Sequence, residues 1–461
     1  DLTMNLYPEI LHVPNSKAQM VLYGTPGLAS WAQLATGAPV RASFAQDARV
    51  FAVSGDGFFE LFGPDLFIRR GTFAVTGITT QPATIASNGL NGNQLFIVSG
   101  NLGYIFNLAS NAFTLITDVD FLPSVTAPRA VMGGHLDGFF VCLMNDGTFQ
   151  LSSLNDGLTW AGADVGTRSL AADTFRSMLV DPPYLWFWGT ATGEVWTNTG
   201  AVDFPFAPIR EGFQSYGIGA PWSAAPFDGG VVWLAQNAAG ERLIVRATVG
   251  QGNPTRISTH GVERALQRVA RIDDAIAWTY QDLGHYFYVL TSELAQQTWV
   301  YDAATQQWHE RGYWPADGVQ QAHLGRCHCM AYGSHLVGSR VDGTIYRMDA
   351  GLYDDAGTPI RRVRRPSRLF SHGRRLFHAG VELFAEVGEG PATVLLRWSN
   401  DGGKTWSNDH AATTGPVGAY LQRVRWRRLG AARDRVYEFV TTDPAKVAWI
   451  GCDLELTEGL S

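Results

Sequence analysis

Between Arg49 and Asp349 short apolar runs alternate with small polar turns that contain glycine. Val50-Phe51-Ala52-Val53-Ser54-Gly55 recurs as Leu95-Phe96-Ile97-Val98-Ser99-Gly100 about 45 residues later, a spacing typical of propeller blades. Further hairpins run from Phe139 to Leu151 around Asn145-Asp146-Gly147, Leu185 to Thr197 around Gly193, and Val231 to Arg246 around Ala239-Gly240. Two more run from Tyr286 to Asp302 and from Leu336 to Asp349 around Asp342-Gly343. Asn-Gly and Asp-Gly suit tight hairpins because glycine takes positive φ without a Cβ clash. Each unit has room for four short strands. One such sheet cannot bury both faces, whereas a closed ring of them can, and closure removes exposed sheet edges. The pattern therefore predicts an all-β chain with a six- or seven-bladed β-propeller.

The flanks read differently. Residues 1–16, spaced by Pro8 and Pro14, are expected to form an extended arm, and the propeller to occupy 17–350. Val21-Leu22-Tyr23, before Gly24-Thr25-Pro26-Gly27, is the expected ring-closing strand. A polar stretch containing Asp354-Asp355-Ala356-Gly357-Thr358-Pro359 makes 351–365 a linker. From 366 to 461 the strands alternate strictly: Val381, Leu383, Ala385 and Val387 face one way, Glu382, Phe384 and Glu386 the other. With Val394-Leu395-Leu396, Val436 to Val440 and Ala448-Trp449-Ile450, this predicts a C-terminal β-sandwich domain.

Composition agrees with a turn-rich all-β fold: 51 glycines and 12% aromatic residues in 461. The net charge of −7 argues against a chain that binds nucleic acid by wholesale phosphate neutralisation. Only three lysines occur, so positive charge is mostly arginine, concentrated toward the C-terminal third. The four cysteines form no disulfide framework, which suggests a reducing compartment. No stretch approaches the roughly 18 consecutive apolar residues of a membrane span, and the N-terminus lacks a signal-peptide pattern. These features predict a soluble chain, without membrane insertion, made in the cytoplasm.

Three constellations could carry chemistry. Ser399, Asp401, Gly403, Thr405 and Trp406 fit the Asp-box pattern Ser-x-Asp-x-Gly-x-Thr-Trp. Ser153, Asn155, Gly157, Thr159 and Trp160 form a second copy with Asn155 in the Asp place. The pattern specifies a turn in which the carboxylate or amide accepts turn N–H bonds and the Trp packs beneath. Asp-boxes also occur in sialidases, so a sialidase-like or glycan-binding propeller is the alternative reading, although no local sequence supplies the arginine, tyrosine and acid set of that chemistry. His323, Cys327, His328, Cys329 and His335 invite a zinc site, but the alternating strand Cys327-His328-Cys329 reads better as a buried blade strand, so no metal and no cofactor is expected. Finally, Arg361, Arg362, Arg364 and Arg365, joined by Arg368, Arg374 and Arg375, and then Arg423, Arg425, Arg427, Arg428, Arg433 and Arg435, form basic clusters. In Arg423-Val424-Arg425-Trp426-Arg427 the odd positions share one strand face, a row that could meet DNA phosphates or an acidic partner, or pair within the fold. No phosphate loop, His-Glu-x-x-His pair or Gly-x-Ser-x-Gly elbow is present, and no enzyme is predicted.

Two stretches resemble a known family. Asn5-Leu6-Tyr7-Pro8-Glu9, with Ser16-Lys17 and Gly24-Thr25-Pro26-Gly27-Leu28, is similar to the opening of the packaged-DNA stabilisation proteins of short-tailed bacteriophages. Trp426-Arg427-Arg428-Leu429-Gly430-Ala431-Ala432-Arg433-Asp434-Arg435-Val436-Tyr437-Glu438-Phe439, with Thr442-Asp443-Pro444, resembles an Arg-rich close found in such tail proteins. The resemblance implies a structural virion protein of the tail hub or nozzle: a homo-hexamer below the portal and adaptor proteins that retains packaged DNA. It also implies double-stranded DNA passing through the ring's channel, attachment of the tail needle and of tail spikes or fibres, residence in the virion tail, and the host cytoplasm during assembly. It carries over no catalytic residue.

Overall fold

The computed structural model of the protein describes residues 1–11, 19–74, 80–124, 126–168 and 170–459. The chain divides into two compact units. One comprises 30–295 and 324–347, the other 1–29, 296–323 and 348–461.

The first unit holds the repeats. Val40–Gln46, Arg49–Ser54, Gly57–Gly63 and Leu66–Thr72 form a four-stranded antiparallel sheet, as do Thr84–Ser87, Gln94–Ser99, Leu102–Asn107 and Phe113–Leu115. The matched turns Gly55 and Gly100 both take positive φ, +53° and +62°. Two more such sheets run from Ala130 to Gly166 and from Ser177 to Gln214. Alternate residues of each middle strand serve different neighbours. Phe51 and Val53 pack with Leu95, Ile97 and Tyr104 of the next sheet, whereas Val50 and Ala52 pack with Trp31, Leu336 and Ile345. Both faces are therefore buried, which is why these strands read as continuous apolar runs. Trp186, Trp188 and Trp233 fill one such seam.

The last repeat is closed by an N-terminal segment. Gly27–Gln33 is the strand next to Thr344–Asp349, and within this unit Leu34 N–H donates to Gly343 O at 2.9 Å. The expected closing strand, Val21-Leu22-Tyr23, is instead part of Met20–Gly24, which pairs with Leu6–Ile10 and Ala448–Glu458 in the other unit. Local alternation fits either segment, and only tertiary pairing distinguishes them.

In the second unit, Leu6–Ile10, Met20–Gly24, Ala448–Glu458, Leu376–Ala385 and Val424–Arg427 form one sheet. Leu2–Met4, Arg362–Arg365, Asp434–Thr441, Thr393–Ser399 and His410–Thr413 follow one another in the other sheet. Val381, Leu383, Trp426 and Trp449 from the first meet Val394, Leu396, Tyr437 and Phe439 from the second in one core. The residues expected to be an extended arm are thus strands of this unit, with Leu6 fully buried in its core; residues 12–16 of that arm lie outside the described residues. Asn5 explains the local sequence. At φ +53° it turns the chain between the two sheets, its Nδ2 donating to Gly312 O (2.9 Å) and Arg361 O (2.8 Å) while its Oδ1 accepts from Gly312 N.

Among the described residues, no helix is long and apolar enough to cross a membrane.

Candidate functional site

The arginine-rich segments all lie in the second unit, and the fold sorts them into three groups. Arg362 and Arg435 are buried and structural. Burial pulls Arg362 down to about 10, with Asp355 countering, and burial pushes Asp355 up to about 7 against the pull of Arg362 and Arg311. Arg435 donates to Asn400 Oδ1 (2.9 Å) and Leu429 O (2.6 Å) and lies 5.2 Å over Trp398.

A second group is paired on the surface. Arg365 and Arg397 both donate to the buried carboxylate of Glu438, with Nε distances of 2.9 and 2.7 Å. Arg364 bonds Thr3 Oγ1 at 2.6 Å and the Asp1 carboxylate at 2.7 Å, and Arg368 forks onto Asp434. The predicted row exists: Val424 and Trp426 are buried while Arg423 and Arg427 face out and Arg425 is half-buried. Two of its three members are neutralised, however. Arg423 pairs with Glu382 (Nε 2.7 Å) on the neighbouring strand and Arg425 with Glu455 on the strand beyond it.

The third group stays available. Arg427 and Arg428 are exposed and no carboxylate pairs with them among the described residues; Arg433 is exposed and donates to Gly373 O at 2.8 Å. Arg375 is also exposed, as are the rings of Phe370 and Phe377. Residues 427–433 reach the start of Leu376–Ala385 through Phe377↔Ala431 and Gly380↔Arg427, so these side chains share one end of the sandwich. Arg361 lies 6.0 Å over Trp314.

Both Asp-box segments are hairpin turns, but they are built differently. In the first, Asp401 accepts from Ser399 Oγ (2.6 Å), Lys404 N (2.9 Å), Thr405 N (3.0 Å) and Thr405 Oγ1 (2.6 Å), and Gly403 takes φ +95°. The second departs from expectation. Asn155 takes φ +58° to make the turn, and the accepting carboxylate is Asp156, which receives Leu158 N (3.0 Å) and Thr159 Oγ1 (2.7 Å).

The histidine and cysteine stretch forms no ligand set. Cys327 and Cys329 pack with Val40 and Leu336, and burial pushes the Cys329 thiol up to about 12. His328 instead stacks on Trp278 and lies 3.0 Å from His335 Nδ1. Among the described residues, no three metal-binding side chains converge.

In the first unit, seven strands surround a cavity of about 510 Å³. They are Val40–Gln46, Thr84–Ser87, Ala130–Leu136, Ser177–Asp181, Ala225–Phe227 with the residues leading into it, Ile276–Asp282 and Gly325–Ala331.

Two family models match. The β-propeller of bacteriophage P22 Gp10 matches residues 1–353, and the Gp10 β-sandwich matches 362–457. The chain belongs to the bacteriophage P22 Gp10 family. The Gp10 family supplies phage structural proteins for stabilisation of packaged DNA, and this chain is a virion structural protein of that kind, an all-β propeller followed by a sandwich. No curated protein matches the chain. Among solved structures, the WD40 propeller of Doa1 is 13% identical, covers 70% of this chain and 97% of its own, and has a TM-score of 0.43. BamB from Moraxella catarrhalis is 9% identical over 76% of this chain and 100% of its own, at 0.43.

Sequence reasoning found the arginines but missed Glu438, the buried acid that organises two of them. It also missed Arg41 and Arg326 at the cavity, which stand singly in their strands with no local signal.

Proposed function

We propose that the chain is one subunit of a homo-hexameric tail hub, or nozzle, that forms the DNA exit channel below the portal and adaptor and carries attachment points for the tail needle and spikes or fibres. The observation that carries this reading is the match to Gp10 over both domains, 1–353 and 362–457. We read the propeller as seven-bladed. Its axial cavity of about 510 Å³ is the size of a small-molecule site, not of a passage for a duplex. We place the DNA channel between copies, where cyclic symmetry puts the same faces toward one lumen.

The exposed arginines at one end of the sandwich that hold no carboxylate among the described residues, Arg427, Arg428 and Arg433, with exposed Phe370 and Phe377, are the surface we assign to contact with a neighbouring subunit, adaptor or DNA. Arg423, Arg425 and Arg365 already hold carboxylates and serve the fold instead. The reading assigns no catalytic residue.

Electron microscopy of the purified chain and of virions containing it tests the reading. Six-fold rings with a duplex-wide channel are expected; chains that remain monomeric and are missing from particles would overturn it. In the same assay, Arg427→Glu with Arg428→Glu should impair ring formation or DNA retention while leaving the melting temperature unchanged.

A further inference from the structure

The axial cavity of the propeller unit carries an uncompensated positive charge. Arg41 and Arg326 enter it from two inner strands and are 4% and 7% exposed. Their guanidinium groups converge on adjoining carbonyls: Arg41 Nη1 donates to Gln81 O at 3.1 Å and Arg326 Nη2 donates to Thr80 O. Arg41 Nη2 also reaches Gly55 O (2.7 Å) and Ser99 Oγ (2.8 Å). These partners are all neutral. Among the described residues, the Nε–H groups of both arginines, and Nε2 of His135 on the cavity wall, have no hydrogen-bond partner.

Among the described residues, no acidic residue lines the cavity. Asp56 and Glu293 act on Arg41 and Arg326 only at longer range, and each arginine feels burial first. Buried like charges without a carboxylate are unfavourable, since burying an ion is repaid only by a close counter-charge. The remaining wall is largely apolar, including Ile85, Met132, Met178, Trp222 and Trp278. A concave, mostly apolar site of about 300–1,000 Å³ with a few convergent polar groups is the usual form of a small-ligand site.

We infer that the mouth of this cavity, between Arg41 and Arg326, is a binding site for a compact oxyanion. Phosphate is the first candidate, because paired guanidinium groups match its geometry. The bound anion would join the inner strands that begin at Val40 and Gly325 and so fasten the first and last repeats of the ring.

The test titrates the full chain with inorganic phosphate, with chloride at matched ionic strength as control and citrate as the carboxylate arm. It is read by calorimetry and by the arginine Nε–H resonances. Saturable phosphate binding is expected, with movement of the two buried Nε–H signals. R326Q should weaken it about tenfold or more, the loss of one charge-assisted pair, and Ala86→Trp, which fills the cavity from another strand, should abolish it. Tighter binding of citrate would assign the site to carboxylates. Absence of saturable binding beyond the chloride control, or binding unchanged in both variants, would overturn the proposal. Should a variant fail to fold, the wild-type Nε–H signals decide, because they move only if the anion reaches the guanidinium groups.

Discussion

Residues 153–160 and 399–406 share one sequence pattern and differ in what they build. In 399–406 the carboxylate stands where the pattern puts it, and Asp401 gathers four donors from a wide, exposed loop. In 153–160 the strands pair as far as Ser153↔Asp156, leaving only two residues for the turn. The amide therefore supplies backbone conformation, and the next residue supplies the carboxylate. The tryptophans diverge as well. Trp160 is buried in a blade core against Phe121 and Phe96, its Nε1 donating to Gly157 O at 2.8 Å. Trp406 is half-exposed, with the guanidinium groups of Arg365 and Arg397 at 4.8 and 4.9 Å from its ring. Spacing alone specifies a hairpin, and the length of the loop decides which side chain does which task.

The largest expected effect separates the two tryptophans. Trp160→Ala empties a blade core and should cost about 3–5 kcal/mol, whereas Trp406→Ala loses mainly cation–π contact, about 1–2 kcal/mol. Chemical denaturation of both variants checks this, and equal losses would refute the contrast. Next comes the acid beneath Trp406. Glu438→Gln leaves Arg365 and Arg397 without a charge partner. Removing one member of a buried pair costs about 3–5 kcal/mol, but these guanidinium groups are about a third exposed and can recover water, so a loss of about 2–3 kcal/mol is expected. The same denaturation series reports it.

A smaller effect follows pH. Hydrogen bonds from Ser399 and Thr405 hold the Asp401 carboxyl well below the usual carboxylate range. At Asp156 burial pushes upward, yet donation from Thr159, Leu158 and Gln94 wins and that carboxyl also sits low. A carboxyl depressed in the folded state stabilises fully above its unfolded value near about 3.9, and that contribution is lost as pH falls toward the folded value. The melting temperatures of wild type and Asp401→Asn should therefore differ modestly at pH 7 and converge below about pH 4. A gap that persists at low pH would show that the charge is not what stabilises the loop.

The propeller repeats were legible because both faces of each middle strand are buried, which leaves runs such as Val50 to Val53 with no polar interruption. The sandwich strands were legible for the opposite reason: Val381 and Leu383 are buried while Glu382 is not, a period of two. Pairing was not legible. Glu382, Glu438 and Glu455 lie 41, 73 and 30 residues from Arg423, Arg365 and Arg425, the arginines they hold, so part of the arginine cluster in the sequence became internal ion pairs. The same limit hid the closing strand and the placement of residues 2–10 in the C-terminal unit.

The finest discrimination is at Asn155. A pattern read from spacing alone makes this the Asp position occupied by an amide, so Asn155→Asp should complete the box and stabilise the turn. The hydrogen bonds imply otherwise: Asp156 already receives the Leu158 and Thr159 donors, and Asn155 contributes a left-handed backbone with its N–H on Gly138 O at 2.7 Å. Asn and Asp both tolerate that conformation, and a new carboxylate would stand beside an existing one. The expected change is therefore within about 0.5 kcal/mol of zero, and on the destabilising side if it is measurable. A gain of about 1 kcal/mol on denaturation would mean that the turn can shift its register by one residue to adopt the bonding seen around Asp401, and the difference between the two hairpins would then belong to the residue at that position rather than to loop length.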